Sequence, residues 1–335
     1  MKNRWIIVTL IITTLISCKQ NRFDKIPTPK NSQEVKIVRF ENDLFSLDTI
    51  SIESEYKELS EKHTQFADLF TRGIIRIGKS DSPKFYHYLK MFLTDTMVQN
   101  CYRMVSETFP PNADFEKELK SAFARYSYFF PEKVMPKVYT YISGYNLSLA
   151  IDDSLVAVGL DRYLGKNTIQ YTLLGIPRYI QRKMNPQKVS SDVMRAWLYG
   201  VFPFKDSVNN LLSRMIYEGQ IMYLTKRMLP NQPDSLIFGY TPQQYKWCQR
   251  NENNIWTYLI ENKLLFTTNL LDINKMINDA PFTSGFSRES PGRTAVWIGY
   301  RIVEQFMERN QEYTLDDLMK VNDYQYILNK AKYKP

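Results

Sequence analysis

Apolar and polar positions along the chain change their period twice. Val35-Lys36-Ile37-Val38-Arg39-Phe40 alternates and predicts a strand. From Ile52 to about Lys62 apolar residues recur at helical spacing. Pro83, welcome in a first turn, opens a predicted long helix to about Phe109, where Pro110-Pro111 stops it. Asn112 or Asp114 caps the next, which runs through Phe130 to Pro131. The middle then reads as β-structure. Val138–Ile142 and Leu147–Ile151 flank Gly144-Tyr145-Asn146, and Leu155–Leu160 follows across Asp152-Asp153-Ser154. Two tight connections predict an antiparallel meander, and the wholly apolar last run predicts a strand covered on both faces. Helical spacing returns in 177–184, 190–199, 207–229, 241–263, 271–279, 293–310 and 314–331. The fold class is therefore α+β, mostly α-helical with a small antiparallel sheet, and no linker divides it.

The N-terminus departs from this pattern. Lys2 and Arg4 precede an apolar run over 5–16 that ends in Leu15-Ile16-Ser17-Cys18. The run is shorter than the ~20 residues of a membrane span and suits the core of a signal peptide. A small residue followed by cysteine resembles the lipobox of bacterial lipoproteins, so Cys18 is the expected lipidation site, and several acyl chains would make a durable anchor. The expected organisation is a signal peptide over 1–17, a lipidated polar tether over 18–34 and a single domain over 35–335. Lys19-Gln20-Asn21-Arg22 lacks the acidic cluster that resembles a surface-export tag, so a periplasm-facing attachment in the cell envelope is expected; which membrane holds it is left open.

Composition adds little to the fold and more to the partners. The chain of 335 residues is 44% hydrophobic and 24% charged, as globular chains are. A net charge of +9 suits an acidic neighbour, but the basic residues are scattered without the runs of a nucleic-acid patch. With export, nucleic acid is not an expected partner. Cys101 and Cys248 remain once Cys18 is lipidated, too few for a disulfide framework; they form one bridge or stay as buried thiols.

Only His63 and His87 are present, outside any metal-ligand spacing, and neither H-E-x-x-H nor G-x-S-x-G occurs. No metal or cofactor is expected. Three constellations carry polar groups into apolar surroundings. Gly159-Leu160-Asp161-Arg162 leaves the buried strand, where Asp161 and Arg162 either face a crevice or pair within a turn. Glu218-Gly219 lies in an apolar helix, where a buried carboxylate needs a partner and glycine lets another backbone approach. Ser290-Pro291-Gly292-Arg293 enters the last long helix. A cation at a helix start is unfavourable by some tenths of a kcal/mol, so Arg293 needs an internal carboxylate such as Glu218 or a bound anion. Gly299 beside Trp297 and Tyr300 predicts close helix packing. Asp161, Arg162, Glu218, Arg293 and Trp297 are the candidate crevice or binding residues.

In order along the chain, these stretches resemble the gliding-motility lipoprotein B (GldB) family of the Bacteroidetes. The lipobox at Cys18, Val158–Gly165, Ile216–Gly219, Tyr240-Thr241-Pro242, Trp247-Cys248, Asn251-Glu252, Ile255-Trp256, Ala280–Thr283, Ser290–Arg293 and the terminal Lys330–Pro335 carry the resemblance. It implies an envelope lipoprotein without catalytic residues that supports gliding and the associated protein secretion. Its partners would be the membrane, through the lipid, and motility or secretion proteins. The chain also distantly resembles a family of predicted zinc peptidases, with Glu218-Gly219 and Pro291-Gly292 in the same order. The helix that would carry H-E-x-x-H reads Asp192-Val193-Met194-Arg195-Ala196-Trp197-Leu198 instead, which implies a degenerate zincin-like scaffold without its metal. The expected role is non-enzymatic assembly or stabilisation of partners. The alternative is an envelope hydrolase acting on peptide or cell-wall substrate with Asp161 and Glu218 as the acid and base pair.

Overall fold

A four-stranded sheet in the order β1-β2-β4-β3 divides the protein into two cores. The computed structural model describes residues 21–25, 34–205 and 209–335, so the signal peptide and Cys18 lie outside the described residues. β1 is Ile37–Arg39, β2 Lys137–Tyr141, β3 Leu149–Asp152 and β4 Leu155–Gly159. β1, β2 and β4 run parallel and only β3 pairs antiparallel to β4, so the sheet is mixed where an antiparallel meander was expected. The Gly144-Tyr145 connection is not a hairpin: it carries the chain past the end of β4 to the outer edge. The apolar character of β4 explains the choice. Every residue of Leu155–Gly159 is buried, and a central position between β2 and β3 is the one that covers it fully.

Alternation along the strands assigns the two cores. Tyr139, Tyr141, Leu155 and Ala157 face an aromatic cluster with Phe40, Phe66, Phe70 and Phe85 from the N-terminal helices. Val138, Val156 and Val158 face the larger core built on the C-terminal half. There the helix Val189–Val201 packs against β3 and β4, and the helices Leu211–Met228 and Thr294–Arg309 cross one another. The 211–228 helix is buried nearly all round, as a central helix must be. Its start is fixed by a capping box between Asn210 and Ser213.

Gly219 and Gly299 set the crossing. A Cβ on Gly219 would lie 2.2 Å from the carbonyl carbon of Gly299, and one on Gly299 would lie 1.7 Å from the Met215 carbonyl oxygen. Both glycines therefore serve the close approach expected of them.

Several long predicted helices are pairs. The span from Pro83 to Phe109 breaks at Asp95, which is extended and caps Thr96–Thr108 by accepting from the Val98 N–H. The 241–263 span divides at Asn251, and 314–331 divides between Lys320 and Tyr324. Polar residues that keep an apolar period also offer the backbone an alternative partner, which periodicity alone does not register.

The start of the expected tether is a correction. Residues 21–25 are docked on the domain: the Phe23 ring meets Phe129 edge-on at 5.8 Å, and Asp24 pairs with Arg227 at 2.8 Å. Arg125 donates to the carbonyls of Phe23 and Asp24, and Arg22 to that of Tyr313 at 2.7 Å. A single aromatic ring in a polar run, and the buried arginines Arg125 and Arg227 that need acceptors, outweigh the composition. Cys101 and Cys248 are free and buried, and burial pushes both thiols well above the usual range. No helix among the described residues is long and apolar enough to cross a membrane.

Candidate functional site

At the end of β4 the chain turns through Gly159 and brings Asp161 under the 143–147 loop. Asp161 Oδ2 accepts from the Ser143 N–H at 2.9 Å, the Tyr145 N–H at 2.7 Å and the Ser143 hydroxyl at 3.2 Å. Gly144 and Tyr145 both have φ of +68°, a left-handed pair that turns these N–H groups inward. Asp161 is fully buried, and burial raises its carboxyl to about 6 against the pull of the three donors and Arg162. It is a lock on the loop. Arg162 points the other way, donating to the Tyr145 carbonyl at 3.0 Å and the Ser148 hydroxyl at 3.2 Å.

Arg162 lies on the wall of a crevice of about 180 Å³ whose other charged walls are Lys183, Lys188, Asp192, Arg195, Asp279 and Arg293. Lys188, Asp192, Arg195 and Tyr199 sit four, three and four residues apart, on one face of the 189–201 helix and the turn before it. Lys188 Nζ meets Asp192 at 2.8 Å, the Ser191 hydroxyl at 3.0 Å and the Ile237 carbonyl at 3.3 Å. Arg195 reaches the same Asp192 oxygen at 3.3 Å, while the Tyr163 hydroxyl donates to the other at 3.2 Å. Burial opposes the Asp192 charge, but Lys188 and Arg195 overcome it and hold the carboxyl below its usual range. Burial also lowers Lys188, to about 8, against the attraction of Asp192.

Glu218 comes in from the 211–228 helix and accepts from the Tyr199 hydroxyl at 2.5 Å. Arg293 stands across from it, with Nη2 at 3.5 Å from Glu218 and Nε at 3.8 Å from Asp279. Asp279 also pairs with Lys183. Arg293 precedes its helix as the N-cap, at φ +66° and ψ +32°, a left-handed conformation that costs a side-chain-bearing residue about 1–2 kcal/mol. The loop before it enforces this. Thr283 bonds the Pro291 carbonyl through both its N–H and its hydroxyl, at 2.9 and 2.7 Å, and accepts from the Thr294 N–H at 3.3 Å. Gly292 lies against the Ala280 backbone, where a Cβ would come within 2.6 Å of the Ala280 nitrogen.

Of the two expected partners for Arg293, the internal carboxylate Glu218 is present, and Asp279 joins it. Trp297 is a core residue, packed against Phe238 at 5.3 Å and Tyr245 at 5.1 Å, and does not line the crevice. Asp161 and Glu218 are not brought together as a pair: the one is sealed under the loop and the other faces Tyr199 and Arg293. His63 is buried at 2.8 Å from Asp43, and His87 is exposed. No group of three or more His, Cys, Asp or Glu gathers in metal-binding geometry among the described residues.

Residues 22–335, which span every element of this architecture, match the family described as gliding motility protein GldB. The chain belongs to the GldB family. No curated protein and no solved structure matches it. Membership ties the chain to gliding motility and accounts for the order of the motifs. It does not single out the crevice residues that sequence reading passed over. Lys183, Lys188, Asp192, Arg195, Tyr199 and Asp279 had one visible signal, the polar stripe 188, 192, 195, 199 on an otherwise apolar helix. The partners at 183, in the turn five residues before Lys188, and at 279, in a distant loop, lie off that stripe and had none.

Proposed function

We propose that this GldB-family chain is a membrane-anchored, non-enzymatic envelope lipoprotein that supports gliding and the associated protein secretion by assembling or stabilising partner proteins. The anchor is a lipid on Cys18, and the domain faces the periplasm. The observation that carries the non-enzymatic reading is the pairing of the crevice carboxylates. Glu218 is held by Tyr199 and Arg293, Asp279 by Lys183 and Arg293, and Asp192 by Lys188, Arg195 and Tyr163. A general acid or base needs a proton to give or a lone pair to take one, within reach of substrate. Here both oxygens of Asp192, and one oxygen each of Glu218 and Asp279, face internal donors. The sealing of Asp161 under its loop supports this reading over an Asp161 and Glu218 acid and base pair.

The test is purification of the tagged full-length protein from its own membranes, beside Cys18→Ser and Arg293→Ala. Cys18→Ser should leave the membrane fraction. Arg293→Ala should lower the melting temperature or the recovery of motility and secretion proteins. Peptide or cell-wall hydrolysis by the intact protein that disappears in Arg293→Ala would overturn the non-enzymatic reading.

A further inference from the structure

The crevice holds more positive than negative charge. Arg162, Lys183, Lys188, Arg195 and Arg293 line it, against Asp192 and Asp279, with Glu218 behind Arg293. Five cations against three carboxylates leave a surplus of two, or of one if Asp161, turned away under its loop, is counted. Lys188 and Arg293 are buried, at 2% and 7% accessible, and Arg162, Lys183 and Arg195 are half-buried.

The donors of the three arginines are also under-used. Arg162 pairs with no carboxylate among the described residues. Arg195 has one ion-pair contact among the described residues, at 3.3 Å, for five N–H groups. The two contacts of Arg293, at 3.5 and 3.8 Å, exceed the ~2.8 Å of a strong charged hydrogen bond. A surplus charge withdrawn from water without full pairing is costly. Burial holds Lys183 and Lys188 below the usual lysine range against the attraction of Asp279 and Asp192, whereas at Arg195 the neighbouring carboxylates outweigh burial and hold the guanidinium above its usual range. The space is small, about 180 Å³, and Leu149, Ile180 and Phe238 are part of its apolar lining.

We propose that the crevice binds a small oxyanion-bearing ligand, a carboxylate or phosphate group seated among Arg162, Lys183, Arg195 and Arg293. Guanidinium forks suit such groups because they offer two parallel donors to two oxygens. The apolar wall takes the short carbon-bearing part of the ligand. The proposal rests on the non-enzymatic reading above and gives the crevice its ligand.

The experiment is isothermal titration of the full-length chain in detergent with inorganic phosphate, trialanine and trialanine amide, with the products of the peptide titrations assayed for cleavage. One of the anionic probes should bind at one site per chain. Its affinity should fall at least about tenfold, or about 1.4 kcal/mol, in both Arg195→Gln and Lys183→Met. Arg195→Lys, which keeps the charge and loses the fork, should fall between, and far-ultraviolet circular dichroism checks that each variant is folded. Phosphate binding without trialanine binding assigns a phosphate group; trialanine binding without amide binding assigns a terminal carboxylate. No binding by any probe up to about 10 mM, or equal binding by folded wild type and variants, overturns the proposal. Cleavage of bound trialanine would overturn the non-enzymatic reading and leave the oxyanion site in place.

Discussion

The 211–228 helix places two contrasting environments side by side. At Gly219 it meets the 294–309 helix backbone to backbone, with no space for a methyl group. One residue earlier, Glu218 stands behind Arg293 at the edge of a charged crevice whose ion-pair contacts extend to 3.8 Å. The crossing is specified by volume: it excludes everything larger than hydrogen, and its alternatives are steric. The crevice is specified by charge balance, is looser, and tolerates changes of shape that preserve sign. A single turn of helix thus holds a part that cannot move and a part that can be occupied.

The most direct way to break the comparison is Gly299→Ala. Its Cβ would lie 1.7 Å from the Met215 carbonyl oxygen, so the two helices must separate. A loss of about 3 kcal/mol or more is expected, enough to prevent folding of a marginal domain, and denaturant titration measures it. A change below about 1 kcal/mol would mean that the crossing is soft after all.

The next test asks what charge does when it is sealed rather than open. Asp161 has a carboxyl raised from 3.8 to about 6, so between these values the folded protein binds the proton and the unfolded chain has released it. Stability from this group is therefore greatest in acid and falls as pH rises from about 4 to 6, by about 3 kcal/mol in all. Asp161→Asn keeps an acceptor for Ser143 and Tyr145 and removes the titration. The stability of wild type relative to this variant should fall over that interval. A difference that stays flat with pH would show that the buried carboxyl does not titrate there.

The smallest effect calibrates the scale. Arg72 and Asp68 form a pair at 2.9 Å four residues apart on a helix, with both side chains at least half exposed. Asp68→Asn should cost less than about 0.5 kcal/mol. A larger loss would place open and enclosed ion pairs on one footing and blunt the contrast drawn here.

Legibility in the sequence followed the same division. Gly219 and Gly299 were readable as close approaches because glycine inside an apolar helix has few other uses, whereas Gly292 was readable only as a helix entrance. The Arg293 partner Glu218 was readable because a cation at a helix start demands an explanation. The parallel pairing of β2 with β4 was not readable. Tight turns point to hairpins, and only the demand of β4 for cover on both faces argues otherwise. The Asp161 lock was half visible, since a turn role was open to it, but the two left-handed residues it serves lie 16 and 17 positions earlier. The crevice itself depended on loops at 183 and 279 meeting one helix face, and no local pattern encodes such a meeting.

The docking of residues 21–25 fixes where load enters the molecule. Any pull transmitted along the chain from ahead of Asn21 meets Phe23 against Phe129 and Asp24 against Arg227 before it reaches β1. Arg227 belongs to the central helix and Arg125 to the helix Asp114–Phe129, so strain is delivered to two helices of the larger core. The three-residue strand β1 lies further along the chain than that clasp. A protein held by its N-terminus on a surface that moves would be gripped at those helices.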